Sequence, residues 1–226
     1  MAKPAYYTLM SSLPPLEDFE RSARVPITRL RLDQRLTMLD PAERKELGQV
    51  ELLIAWHAQP LTRTGAEMAA QYDRLLRELK NPVLRHVLVT RMDMRTILAG
   101  LRMRHRKVPA TDTVWGVGRW VKHIREHWDQ SDFGLSVVHP WIPGARAALE
   151  SGDALELERL TLRALWKFLS NLEQADPFAF EQVVAYVFKW DVMNRWLSND
   201  AEEAAESFQN LVSEVVRDHQ NLFASK

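Results

Sequence analysis

Cysteine is missing altogether from this 226-residue chain, and its absence removes three kinds of chemistry at once. A disulfide framework, a thiolate metal site and a cysteine nucleophile are all excluded, which is compatible with a reducing compartment. Long apolar runs are missing too. The longest, around Val183 to Phe188, is far shorter than the ~20 residues of a membrane-spanning helix. The opening residues offer neither a continuous apolar run nor a small-residue cleavage site, so no secretory signal is expected. Strand signals are almost absent, because no run of β-branched residues alternates between turn markers. No G-x-S-x-G elbow, Gly-Lys-Ser/Thr ending, helix-turn-helix or zinc-finger signature occurs.

What is there reads as an ordinary globular chain. Apolar residues make up 46% and charged residues 27%, enough of the former to bury a substantial core. The net charge is zero, but it is unevenly spread. Residues 1–149 carry 23 Lys and Arg against 16 Asp and Glu, and residues 150–226 carry 7 against 14. The sequence therefore divides into a basic helical half over 1–130, a loop or junction over 131–144 rich in Gly and Pro, and an acidic helical half over 145–226. Opposed charge is expected to pack the second half on the first as one structural unit.

Helix signals dominate. Asp40-Pro41-Ala42-Glu43 is a capping-box start, with Asp40 accepting from backbone N–H groups and Glu43 reaching back, for a helix to about His57. Thr64-Gly65-Ala66-Glu67 opens another in the same way, ending near Lys80, and a third runs from Pro82 to about Arg106. A tryptophan-rich helix follows Thr111-Asp112-Thr113 and reaches about Trp128. Further helices are expected over 145–150, from Asp153 to about Gln174, from Pro177 to about Leu197, and from Asp200 to about His219. The class is all-α, a bundle of about seven to eight helices. The N-terminal Tyr6-Tyr7-Thr8-Leu9-Met10-Ser11-Ser12-Leu13-Pro14 alternates apolar and polar residues and is read as a short extended segment.

Three constellations bear on chemistry. His123-Ile124-Arg125-Glu126-His127 matches the H-x-x-E-H pattern, in which His123 and His127 would ligate zinc and Glu126 would act as base. No third ligand is identifiable, and a solvated helix face is the plainer reading. Trp115-Gly116-Val117-Gly118 lacks the third glycine and preceding strand of a phosphate loop, and is read as close helix packing. The helix from Pro82 is strongly basic. Arg102, Arg104 and Arg106 cluster near its end, where they complement the helix dipole or meet a partner. Arg91 and Arg95 fall at the edge of its apolar face, so an internal ion pair with Asp191 is expected to compensate them. Trp141, beside Pro140 in the junction, is the candidate exposed anchor.

Three stretches carry a family likeness. They are Tyr6 to Pro14; Phe133-Gly134-Leu135 with His139-Pro140-Trp141-Ile142 and Glu158-Arg159; and Phe178 to Trp190, continuing through Arg195-Trp196-Leu197 and Phe208 to Val212. In order and spacing they resemble a bacterial family of unknown function encoded in operons of vacuolar/archaeal-type (V/A-type) ATPases. That family is similar, more distantly, to the helical C/d-type component of those ATPases, which seats the rotor stalk on the membrane ring. The resemblance implies a non-catalytic cytoplasmic accessory or adaptor subunit, or an assembly factor. Its partners would be subunits of the central stalk or membrane ring, and it would touch the membrane only through the complex. Tyr6, Tyr7, Leu13, Arg102, Arg104, Arg106 and Trp141 are the candidate partner contacts, and no cofactor or metal is expected. Alternatives, in order, are a stand-alone helical interaction module, a nucleic-acid binder, and a zinc hydrolase using His123, Glu126 and His127.

Overall fold

Proline and short polar caps punctuate the chain in its computed structural model, which describes residues 6–55, 64–109, 116–173 and 176–199. Expectations that fall on His57, Thr111–Thr113, Trp115, Gln174, the helix from Asp200 to His219, and Phe208–Val212 lie outside the described residues. The described residues form nine helices and no strand, so the protein is an all-α multi-helix bundle. In order they are α1 (Tyr7–Ser12), α2 (Arg29–Leu36), α3 (Pro41–Ile54), α4 (Gly65–Glu78), α5 (Pro82–His105), α6 (Trp120–Glu126), α7 (Ile142–Ser151) and α8 (Ala154–Leu172). The ninth, α9, spans 180–199.

The caps fall largely where the residue types place them. Asp40 accepts from the N–H groups of Ala42 and Glu43, with Pro41 at the first turn of α3. Thr64 and Glu67 complete a reciprocal capping box on α4. Asn81 caps α5 ahead of Pro82, and Gly152, left-handed at φ 74°, ends α7. At α3 one detail differs. The Asp40 N–H donates not to Glu43 but to the Tyr6 hydroxyl at 3.3 Å, and that hydroxyl in turn donates to the Glu43 carboxylate. A phenol from the chain's beginning has replaced half of a local capping box. Burial and the hydrogen bond to Glu43 push the Tyr6 hydroxyl up to about 12.

The N-terminal segment is not extended: residues 7–12 are helical. Its buried side chain Leu9 and the half-buried Met10 and Leu13 follow Tyr6 at helical spacing, and this period overrides the apparent alternation. Pro14 stops the helix by holding Leu13 at φ −90°, ψ 129°. Among the described residues the Trp-rich helix is confined to Trp120–Glu126, ending before Trp128, and Gly116–Arg119 form a bend and turn ahead of it.

Two apolar clusters share α5 as a spine. Leu84, Val87, Leu88, Met92 and Met94 enter a large cluster with α1–α4, α8 and α9, whereas Ile97 and Leu101 enter a smaller one. That smaller cluster takes Ile124 from α6, Ile142, Ala145 and Ala148 from α7, and Phe133 and Leu135 from the junction. Residues 131–141 are thus packed turns tied into the core, and both clusters mix residues from the basic and acidic halves. Phe133 is fully buried at a left-handed φ of 55°. Its burial, worth about 2–3 kcal/mol, outweighs the ~1 kcal/mol conformational cost.

Helix α9 is buried nearly all round. Phe180, Val183, Val184 and Val187, spaced as one helical face, are in the core, but so are Ala185, Tyr186, Phe188, Trp190, Val192 and Met193. A helix apolar on every side belongs at the centre of a bundle. Its polar atoms reach outward to satisfy themselves. Tyr186 donates to the Pro14 carbonyl at 2.9 Å and Trp190 Nε1 to the Ile27 carbonyl at 2.7 Å. Lys189 Nζ meets Glu173 at 2.5 Å over the Trp166 ring. The ion pairs between the halves mostly run against the overall charge division. Arg159 and Arg163 of the acidic half bind Glu20 and Asp18 of the basic half, and Arg29 with Asp191 follows the expected sense.

Candidate functional site

Between α2, α3, α5, α8 and α9 lies a cleft of about 1110 Å³. Buried Leu162, Leu165, Phe188 and Val192 form its apolar wall, and Leu52, 68% exposed on α3, stands at its rim. Arg29, Glu51, Arg91, Asp191, Asn194 and Arg195 supply the polar lining. Each is presented by a helix whose opposite face is in the core, so the charged groups are held on rigid supports.

One end of the cleft is a closed network. Arg29 donates from Nη1 to Glu51 Oε1 at 2.8 Å, from Nη2 to Oε2 at 3.3 Å, and from Nε to Asp33 at 2.9 Å. Its guanidinium also lies over the Trp190 ring, 5.9 Å from the centroid. These bonds raise the Arg29 pKa still further above its ordinary value. Asp191 sits beyond, 3.7 Å from Arg29 Nη1. Burial, reinforced by repulsion from Glu51, pushes its carboxyl up to about 7 against the pull of Arg29 and Arg91. Water reaches this group along the cleft while protein encloses its other sides.

The other end has an excess of cations. Burial and repulsion from Arg195 bring Arg91 down to about 10, with Asp191 opposing. Outside the cleft, on the surface of α5, the partly covered Arg102 is lowered too, first by that partial burial and then by Arg106 and Arg195, with Glu158 opposing. Arg195 Nε donates to Glu158. The expected pairing of Arg91 or Arg95 with Asp191 is therefore corrected. The ion pair the structure gives Asp191 is with Arg29, whereas Arg91 attracts the carboxylate without bonding to it. Half-buried Arg95 is itself engaged. Arg29 and Glu51 were missed because nothing in the chain marks two residues 22 apart, on separate helices, as a pair.

The expected partner contacts scatter. Tyr6 is buried and bonded to Glu43, so it belongs to the core and not to a docking surface. Tyr7 is 59% exposed with its ring against Phe178 at 4.5 Å, and Leu13 is half-buried on the large cluster. Trp141 is not an exposed anchor either: it is partly buried and packs against both apolar clusters. Arg104 leaves the expected triplet, since its Nη1 and Nη2 donate to the carbonyls of Trp128 and Asp129. Arg102 and Arg106 remain exposed. A helix places residues two apart on different sides, and the sequence cluster splits for that reason.

The histidine pair does not converge. His123 Nε2–H donates to the Phe133 carbonyl and His127 Nδ1–H to the His123 carbonyl, each at 2.9 Å. The rings stack at 4.1 Å and 18°, so their remaining lone pairs lie in near-parallel planes and do not meet on one tetrahedral ion. Glu126 faces solvent beside Lys122 at 3.7 Å. Among the described residues no group of three or more His, Cys, Asp or Glu is arranged to hold a metal ion.

The Gly-Val-Gly bend is a packing seam. The Thr96 hydroxyl donates to the Val117 carbonyl at 2.7 Å and accepts from the Val117 N–H at 2.9 Å. A Cβ at Gly116 would stand 2.7 Å from Thr96 Cγ2, and one at Gly118, where φ is +87°, 2.7 Å from Asp93 Oδ1. Beneath the seam, Asp93 is 1% exposed and accepts from Arg119 Nε at 2.7 Å. Burial raises its pKa, with that hydrogen bond opposing.

A family model described as "Protein of unknown function (DUF2764)" matches residues 50–219. No curated protein and no solved structure matches the chain. No helix among the described residues is long and apolar enough to cross a membrane.

Proposed function

The chain belongs to the DUF2764 family, a family of unknown function, and from that premise we propose that it is a non-catalytic docking subunit or assembly factor of a V/A-type ion-translocating ATPase. The observation that carries the reading is spatial. The first and third stretches of the likeness to the ATPase-operon family, far apart in the chain, are in direct contact. Tyr6 N–H donates to the Phe178 carbonyl at 2.6 Å, Tyr6 faces Phe180 at 6.3 Å between ring centroids, and Tyr186 holds Pro14. Glu158 of the second stretch meets Arg195 of the third. Residues that act as one joint support a likeness of architecture over a coincidence of composition.

The docking role draws its support from the cleft, where fixed helices hold charged side chains beside an apolar wall. Such a surface recognises by shape and charge and needs no reaction of its own. The protein would sit on the cytoplasmic side and meet the membrane through the complex. The same cleft would serve a stand-alone interaction module, and one experiment separates the two. Tagged protein purified from gently solubilised native membranes is expected to bring stalk or ring subunits with it. Recovery of other proteins but none of those subunits would replace the ATPase reading with the stand-alone one.

A further inference from the structure

Arg91 is the anomaly of the cleft. It projects from the middle of α5, half-buried, and among the described residues no carboxylate or hydrogen-bond acceptor reaches it. Asp191 lies near enough to attract it but is bonded to Arg29. Arg195 repels it, and Arg195 repels Arg102 in turn. Of the cations lining the cleft, Arg29 is bonded to Glu51 and Arg195 to Glu158, and Arg91 alone of the three has no bonded carboxylate among the described residues. A desolvated, unpaired cation destabilises a fold. The planar guanidinium fork is also the group best shaped to take a carboxylate side-on.

The cleft's size and walls indicate what carries the missing anion. At about 1110 Å³ it exceeds most small-molecule sites. One turn of helix about 10 Å wide and 5.4 Å long occupies roughly 400 Å³, so two to three turns fit. Leu52 at the rim and the Leu162–Leu165 wall offer apolar contact beside the arginines. We infer that the cleft receives an acidic amphipathic segment of a partner protein, whose carboxylates complete Arg91 while its apolar side chains cover Leu52. This rests on the docking-body reading above but not on which complex the body serves.

The test uses the purified full chain, so the failure of the ATPase reading in native membranes leaves it standing. The probe is a fluorescein-labelled three-turn helical peptide of Leu and Glu, with a Leu and Gln peptide as control, followed by anisotropy. The wild-type chain is expected to bind the Glu peptide and not the Gln peptide. Arg91→Met is expected to weaken binding by about tenfold or more while raising the melting temperature, because an uncompensated charge has been removed. Leu52→Ser is expected to weaken binding with melting unchanged, and Lys122→Gln, at an exposed position of α6, to change neither. Equal binding of both peptides, no binding by the wild-type chain, wild-type affinity in Arg91→Met, or a lower melting temperature in that variant would each overturn the inference. So would displacement of the probe by single-stranded DNA at equal charge concentration.

Discussion

Asp191→Asn should stabilise the protein at pH 8 and lose most of that advantage by pH 5. Asparagine stands in for the protonated carboxyl, so the comparison isolates the cost of ionising Asp191 in place. The carboxyl lies about three pH units above its ordinary 3.8, at about 7, and full burial would make that worth about 4 kcal/mol. The side chain is 42% exposed in the cleft, so solvent screening reduces the figure to about 1–2 kcal/mol. The sign follows from linkage. The folded state holds this proton more tightly than the unfolded chain, so its contribution is complete below about 3.8 and is lost as pH rises through about 7. Urea unfolding of both proteins at half-unit steps from pH 5 to pH 8 reads the difference directly. A gap that stays constant with pH, or one that favours the wild type increasingly as pH rises, would show that Arg29 and Arg91 hold the carboxylate ionised despite its burial.

Three further substitutions probe two polar links outside the cleft. In the Asp93–Arg119 pair the acid is 1% exposed and the base 62% exposed, so the two truncations should be unequal. Arg119→Ala strands a buried carboxylate and should cost about 3–5 kcal/mol; Asp93→Asn leaves a guanidinium that water can solvate and should cost clearly less in the same urea assay. Tyr6→Phe removes the hydroxyl that links the Asp40 N–H to Glu43 and should lower stability by about 1–2 kcal/mol. An unchanged unfolding midpoint there would return Glu43 to the local capping box.

The local rules of the sequence carried much of the fold. Asp40, Thr64 and Pro82 mark real helix starts, and the apolar spacing along α5 and the start of α9 identifies faces that are buried. They failed where a tertiary contact competes with a local one. Tyr6 takes the place assigned to Glu43, and the carbonyls of Trp128 and Asp129 draw Arg104 away from Arg102 and Arg106. The period of Tyr6, Leu9 and Leu13 was present in the sequence but hidden by a coincident alternation. The cleft was only half legible. Arg91 and Asp191 stand out as charges on apolar faces, but Arg29 and Glu51 lie on helices whose charged positions look like any solvated surface.

The central helix follows α1 to α8 in the chain. When α1 to α8 have been synthesised, the faces that will hold Phe180 to Met193 still look onto water, and the carbonyls of Pro14 and Ile27 await their donors. At translation speeds of about 5–20 residues per second, that incomplete shell lasts about 1–5 s before α9 is made. The keystone follows all eight helices described before it, so a stop codon ahead of α9 yields an open shell prone to aggregation instead of a smaller working version.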